Sequence, residues 1–150
     1  MGILSNLGEE LKNAMRSKDT VKLESLRAIK SAVLLAQTAS GGSADLSDEE
    51  AIKLLQRLVK QRKDSAALYK EQNRTDLAEP EEAQAQIIEA FLPTQLSAEE
   101  LAQAVNVVIQ STGASGMQDM GKVMGVVSKQ LAGKAEGKRI AEEVKKQLGA

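Results

Sequence analysis

Cysteine, histidine and tryptophan do not occur in this chain of 150 residues, which also holds only one tyrosine, one phenylalanine and two prolines. Without cysteine there is no disulfide framework, no thiol nucleophile and no thiolate metal ligand. Without histidine the commonest general base is missing too, so the usual pairing of an activated nucleophile with its base is closed. The scarcity of aromatics leaves Leu, Ile, Val, Met and Ala to build the core, which favours helices over a β-sandwich. No apolar run reaches the length of a membrane helix, and the N-terminus lacks the apolar stretch of a signal peptide. With the missing cysteine, this gives the expectation of a soluble cytoplasmic protein with no membrane association. There is no P-loop, no dinucleotide-binding glycine pattern and no transition-metal ligand cluster, so no cofactor or metal is expected. The carboxylate pairs Glu49-Glu50, Glu99-Glu100 and Glu142-Glu143 are sequence neighbours and point about 100° apart on a helix, so none makes a catalytic dyad. No catalytic residue is assigned.

What is present reads as helix throughout. Ile3, Leu4, Leu7, Leu11 and Met15 have the spacing of an amphipathic helix. Asp19 and Thr20 form an N-cap region for a second helix, whose buried face is Leu23, Leu26, Ile29 and Val33. Arg27, among those apolar residues, is assigned a paired structural role. Residues 38–43, Thr-Ala-Ser-Gly-Gly-Ser, read as a flexible connector. Ser47-Asp-Glu-Glu50 is a capping box opening a long helix, with Ile52, Leu55, Val59, Ala66 and Tyr69 on one face. Lys53, Arg57 and Lys60 run along another face beside Arg62 and Lys63, the densest positive cluster in the chain. Acidic neighbours make it a solvated, ion-paired face first and a fallback anion site second. Thr75 or Asp76 caps the next helix, with Pro80 in its first turn. Leu92-Pro93 marks a boundary, because the residue before proline is pushed away from helical angles. Ser97-Ala-Glu-Glu100 is a second capping box, and Leu101, Val105, Val108 and Ile109 form the stripe that follows it.

Six of the eleven glycines fall between residues 113 and 139. On a helix over 117–131, Met117, Met120, Met124, Val127 and Leu131 line the core, while Lys122 and Lys129 point to solvent. Gly121, Gly125, Ser128 and Ala132 form a smooth strip between those faces. Glycine inside a helix costs about 1 kcal/mol relative to alanine, so two on one face imply a close approach to the backbone. Ser115 caps this helix, Gly133 closes it in a left-handed conformation, and Gly137 turns the chain into a last helix carrying Ile140, Val144 and Leu148. Charge is uneven as well. Residues 1–112 hold 13 Lys+Arg against 17 Asp+Glu, a net of −4, and residues 113–150 hold 7 against 4, a net of +3.

The run G-K-V-M-G…G-K-A-E-G, with upstream A-M-R-S-K-D…L-R-A-I-K, K-Q-R-K-D-S and F-L-P-T-Q-L-S-A-E-E-L, resembles the GatB/YqeY family. These are small free-standing helical proteins similar to the tail domain of the B subunit of glutamyl/aspartyl-tRNA amidotransferase. The likeness covers essentially the whole chain. It departs at Ser128-Lys129, where an apolar residue often followed by proline is expected, and at Pro80. The capping boxes and the proline beside an apolar patch predict an all-α protein of two lobes, an N-terminal helical domain over 1–93 and a C-terminal three-helix domain over 94–150. The likeness makes the second the counterpart of the amidotransferase tail. It further implies a module that handles tRNA, in company with aminoacyl-tRNA or amidotransferase machinery. The carbon–nitrogen ligase activity with glutamine as amido donor belongs to the larger relatives.

Three functions stand open on this reading. The first is non-catalytic tRNA binding through Gly121, Lys122, Gly125, Lys129, Lys134, Lys138 and Arg139, helped by free amides at the helix N-terminus near residues 115–118. The second is a protein–protein adaptor receiving a partner helix on the Gly121/Gly125 face. The third is an enzyme using glutamine, which the missing histidine and cysteine disfavour. With so few aromatics, any RNA would be held by backbone and shape.

Overall fold

The computed structural model describes residues 2–39, 41 and 46–149; of the connector expected over 38–43, positions 40, 42 and 43 lie outside them. Among the described residues there are seven α-helices, one 3-10 turn and no strand, so the protein is all-helical. The helices are α1 (Leu7–Ser17), α2 (Thr20–Ala39), α3 (Asp48–Glu71), α4 (Thr75–Glu89), α5 (Ala98–Thr112), α6 (Met120–Gln130) and α7 (Gly137–Gly149). They fall into two compact units, Met1–Leu92 and Pro93–Ala150.

In the first unit α3 packs chiefly on α4, and α2 packs on α4 and α1. Its core gathers Ala14, Leu26, Ile29, Leu55, Val59, Ala85 and Ile88. The first helix begins later than its apolar spacing implied: Ile3 and Leu4 lie in the turn before α1, and Met15 is 58% exposed while Ala14 is buried. Leu7, Leu11 and Ala14, at i, i+4 and i+7, are the face that meets the core. Asp19 caps α2 as expected, its Oδ1 accepting the Lys22 amide at 3.1 Å. Ser25 is fully buried there, and its hydroxyl donates to the Val21 carbonyl at 2.8 Å. Arg27 is exposed and has no ion-pair partner among the described residues, contrary to its expected role. Ser47 accepts the Glu50 amide at 3.2 Å, but the return bond of a full box is not formed among the described residues.

Neither Thr75 nor Asp76 caps α4. Thr75 is its first residue, and Asp76 instead holds Arg74 through two hydrogen bonds of 3.1 Å, which set its carboxyl below the usual range. Pro80 therefore lies in the second turn, not the first, and leaves one helical donor missing.

In the second unit α5, α6 and α7 pack pairwise around Leu101, Val105, Val108, Val123, Val127, Leu131, Ile140, Val144 and Leu148. Here the capping box is complete. Ser97 accepts the Glu100 amide at 3.2 Å, and the Ser97 amide donates to Glu100 Oε1 at 2.9 Å. The segment before α5 is tied to the turn after α6. Gln95 Nε2 donates to the Pro93 and Gly133 carbonyls at 2.9 and 2.7 Å, and the Leu96 amide donates to the Lys134 carbonyl at 2.8 Å.

Candidate nucleic-acid interface

The expected helix over 117–131 divides in two. Met117–Asp119 is a 3-10 turn, and α6 proper starts at Met120. Met117 is accordingly exposed, and the position fully buried in its stead is Val123, beside Val127. This turns the helix relative to the expected stripe. At about 100° per residue, Gly125 lies roughly opposite the mean of Val123 and Val127, with Lys122 and Lys129 within about 60° of it. Gly121, Lys122, Gly125, Ser128 and Lys129 are all exposed, so glycines and lysines share one outward face.

The two glycines play no part in packing the chain on itself. A methyl group added at Gly121 or Gly125 would meet nothing within 4 Å. Gly121 sits in the first turn of α6, whereas Gly125 stands mid-helix, where the cost of a glycine is felt in full.

Two expectations about the ends of α6 fail. Ser115 does not cap the helix. Its amide donates to Asp119 Oδ2 at 3.0 Å, and Asp119 occupies the cap position without a side-chain cap bond of its own. The N-terminus of α6 thus already faces a carboxylate of its own chain, which disfavours an incoming phosphate there. Gly133 does adopt a left-handed φ of 79°, but in a buried turn past the helix end, since α6 stops at Gln130. Gly137 is the first residue of α7 rather than a hinge before it.

Lys134 lies in that turn and Lys138 in the first turn of α7, both exposed. Arg139 is half-buried, and its Nη2 donates to the Leu96 carbonyl at 3.2 Å. Of the five basic residues proposed from the sequence, Arg139 is therefore partly engaged inside the protein. Lys122, Lys129, Lys134 and Lys138 have no ion-pair partner among the described residues. The same is true of Lys145 and Lys146, which the sequence reading left out. Lys145 follows Lys138 by seven residues on α7, a spacing that places both on one side.

The alternative cluster on α3 is arranged differently. Lys53 reaches Glu49 at 3.6 Å, Lys60 reaches Asp64 at 2.8 Å, and Lys63 reaches Glu89 at 3.2 Å. Arg62 donates to Gln84 Oε1 at 3.0 Å and to the Leu58 carbonyl at 3.3 Å. Of that cluster only Arg57 lacks a partner among the described residues. No group of three or more metal-ligating side chains occurs among the described residues, and no helix is long and apolar enough to cross a membrane.

Comparison with known proteins agrees with the motifs. A protein of Pyrenophora tritici-repentis named "Altered inheritance of mitochondria protein 41, mitochondrial" is 28% identical over 153 residues, covering 99% of this chain and 82% of its own. Proteins of the same name from Meyerozyma guilliermondii and Clavispora lusitaniae are 35% and 34% identical, over 83% and 60% of this chain. Those two matches span 66% and 51% of the relatives' own lengths. The expectation of a cytoplasmic protein is corrected by these names, all of which are mitochondrial. Absence of cysteine agrees with a reducing compartment but identifies none. The family profile described as Yqey-like protein matches residues 4–148, and with nearly the whole chain inside that match, the chain belongs to the YqeY family.

Proposed function

We propose that the protein is a non-catalytic RNA-binding module that holds tRNA by its phosphate backbone, using the outward face of α6 and the turn into α7. One observation carries the reading. Lys122, Lys129, Lys134 and Lys138 stand exposed with no acidic partner among the described residues, and the first two share their face of α6 with glycines on which nothing is packed. Cations left unneutralised attract polyanions, and a helix face without side-chain bulk lets a ribose-phosphate strand come close. Neither of the two aromatic residues, Tyr69 and Phe91, lies in the second unit, so contact is to phosphates and groove shape and not to stacked bases. The likeness to the amidotransferase tail makes tRNA the RNA of choice. No catalytic residue is assigned, and on this reading a companion enzyme supplies the amide-transfer chemistry. The relatives' names supply a mitochondrial setting, and cell fractionation tests it.

Binding of tRNA measured against salt tests the proposal. With about four phosphates neutralised, log affinity falls with log salt at a slope of roughly −3 to −4. Absence of binding at low ionic strength overturns it. The adaptor reading then takes its place, because the flat Gly121/Gly125 face accepts a partner helix as readily, and capture of that partner is insensitive to nuclease.

The two units are proposed to fold as separate domains joined at Leu92–Pro93. Limited proteolysis is expected to leave a stable C-terminal piece beginning near residue 94.

A further inference from the structure

The open side of the α2–α3 hairpin has a character that RNA binding leaves unused. Between the last turns of α2 and the first half of α3 lies a groove of about 750 Å³, lined by Leu35, Ala36, Glu50, Leu54, Arg57 and Leu58 among others. Leu35 is 72% exposed and Leu34 53%. The cause lies in the packing: α3 buries Leu55 and Val59 and packs chiefly on α4, so among the described residues the C-terminal half of α2 has little to cover it.

Charge decides what fits there. Glu50 and Arg57 both border the groove, seven residues apart on one side of α3, about 10 Å along the axis. Neither the carboxylate nor the guanidinium has a partner among the described residues, whereas Lys53 beside them is held by Glu49. A helix with an acid and a base two turns apart is complementary to itself turned end for end. Under a two-fold axis near Leu54, Glu50 meets Arg57 of a second copy, and Arg57 meets the second Glu50. An isologous interface requires this self-complementarity, while a uniformly acidic or basic foreign helix leaves one of the two charges facing its like. We propose that the protein forms a two-fold dimer through this groove, α2 and α3 of each copy closing a four-helix bundle that buries Leu35 and Leu54. The groove belongs to the first unit and shares no residue with the α6 face, so the proposal stands apart from the RNA reading.

Sedimentation equilibrium on the full chain, over a roughly hundredfold range of concentration, tests it. The mass is expected to rise to twice the 16.0 kDa of the chain. Leu35→Asp alters a side chain already in water. It is expected to return the protein to monomer with helix content unchanged. Arg57→Glu sets acid against acid and weakens the dimer by more than about tenfold. Adding Glu50→Arg to it restores association, a rescue that general unfolding cannot produce. A mass that stays at that of one chain overturns the proposal, as does a dimer indifferent to Leu35→Asp or a charge swap without rescue. A dimer that nuclease dissociates also overturns it, since RNA is then the bridge.

Discussion

In the first unit Lys22, Lys53, Lys60, Lys63 and Lys70 each reach a carboxylate, Lys22 meeting Glu10 at 2.7 Å and Lys70 meeting Glu82, and Arg74 is gripped by Asp76. In the second unit Lys122, Lys129, Lys134, Lys138, Lys145 and Lys146 reach none among the described residues. Both regions are helical surfaces rich in charge, and a count of Lys and Arg rates the α3 face the stronger. Between the α3 face and the lysines of α6 and α7 the difference lies in partners. Lys12, Arg16, Lys18, Arg27, Lys30 and Arg57 of the first unit are likewise exposed without an ion pair among the described residues. Exposed ion pairs contribute little to stability, about 0–1 kcal/mol each, but they do cancel the local field. The denser cluster is therefore the quieter one, and the sparser set keeps its charge uncancelled within the described residues.

The contrast is broken most directly by charge reversal. Lys122→Glu with Lys129→Glu is expected to abolish tRNA binding in a filter assay, with stability moved by no more than about 0.5 kcal/mol, because both side chains face water. Lys53→Glu with Lys60→Glu serves as the control and is expected to leave binding largely intact. Equal damage from both pairs removes the distinction between the units.

Core truncation tests whether the units differ in stability as well as charge. Leu55→Ala and Leu101→Ala, each at a nearly or fully buried site, are expected to cost about 2–5 kcal/mol in the unit concerned. If the units fold separately, calorimetry resolves two transitions and each variant shifts only one. A single transition lowered by both variants shows one cooperative body.

Gly125→Ala sharpens the functional side. The added methyl finds open space, so the helix is expected to gain about 1 kcal/mol while tRNA affinity falls. A gain in melting temperature with unchanged affinity would mean that nothing approaches that backbone.

The smallest effect concerns the complete capping box of α5. The Ser97 amide, and then its hydroxyl, hold the Glu100 carboxyl below the usual glutamate range. A carboxyl whose folded value is depressed contributes stability that is fully present above its unfolded value. That contribution is lost as pH falls through the lowered folded value. Glu100→Gln is therefore expected to lower the melting temperature slightly at neutral pH and to match the parent in acid. A difference that persists unchanged at low pH would assign the effect to packing.

Much of the fold was legible because its signals are local. Ser97 and Glu100 stand three apart, and both reciprocal bonds form as that spacing predicts. Leu26, Ile29, Leu55, Val59, Val105 and Val108 are buried where the helical period places them. The failures share a cause in competition by a neighbour. Ser115 looked like a cap, but Asp119 takes its amide and a 3-10 turn intervenes, which removes Met117 from the core and puts Val123 into it. Pro80 suited a first turn, yet α4 begins at Thr75. The site was legible as composition and only partly as geometry. The lysines of α6 are where their spacing put them, whereas the bond from Arg139 to Leu96 spans 43 residues and leaves no local trace.

That long-range bond has company, and together they bear on where a fragment of the second unit should begin. The Pro93–Leu96 segment has no regular structure, and by appearance it is a linker that could be trimmed away. Yet Gln95 donates to the Gly133 carbonyl, Leu96 donates to that of Lys134 and accepts from Arg139. A fragment begun at Ser97 keeps all three helices of the second unit and loses every one of these bonds, freeing the turn that carries Lys134. A fragment begun at Pro93 is four residues longer and retains them. The shortest faithful version of the second unit therefore starts ahead of its first helix, on the one stretch that secondary structure alone would discard.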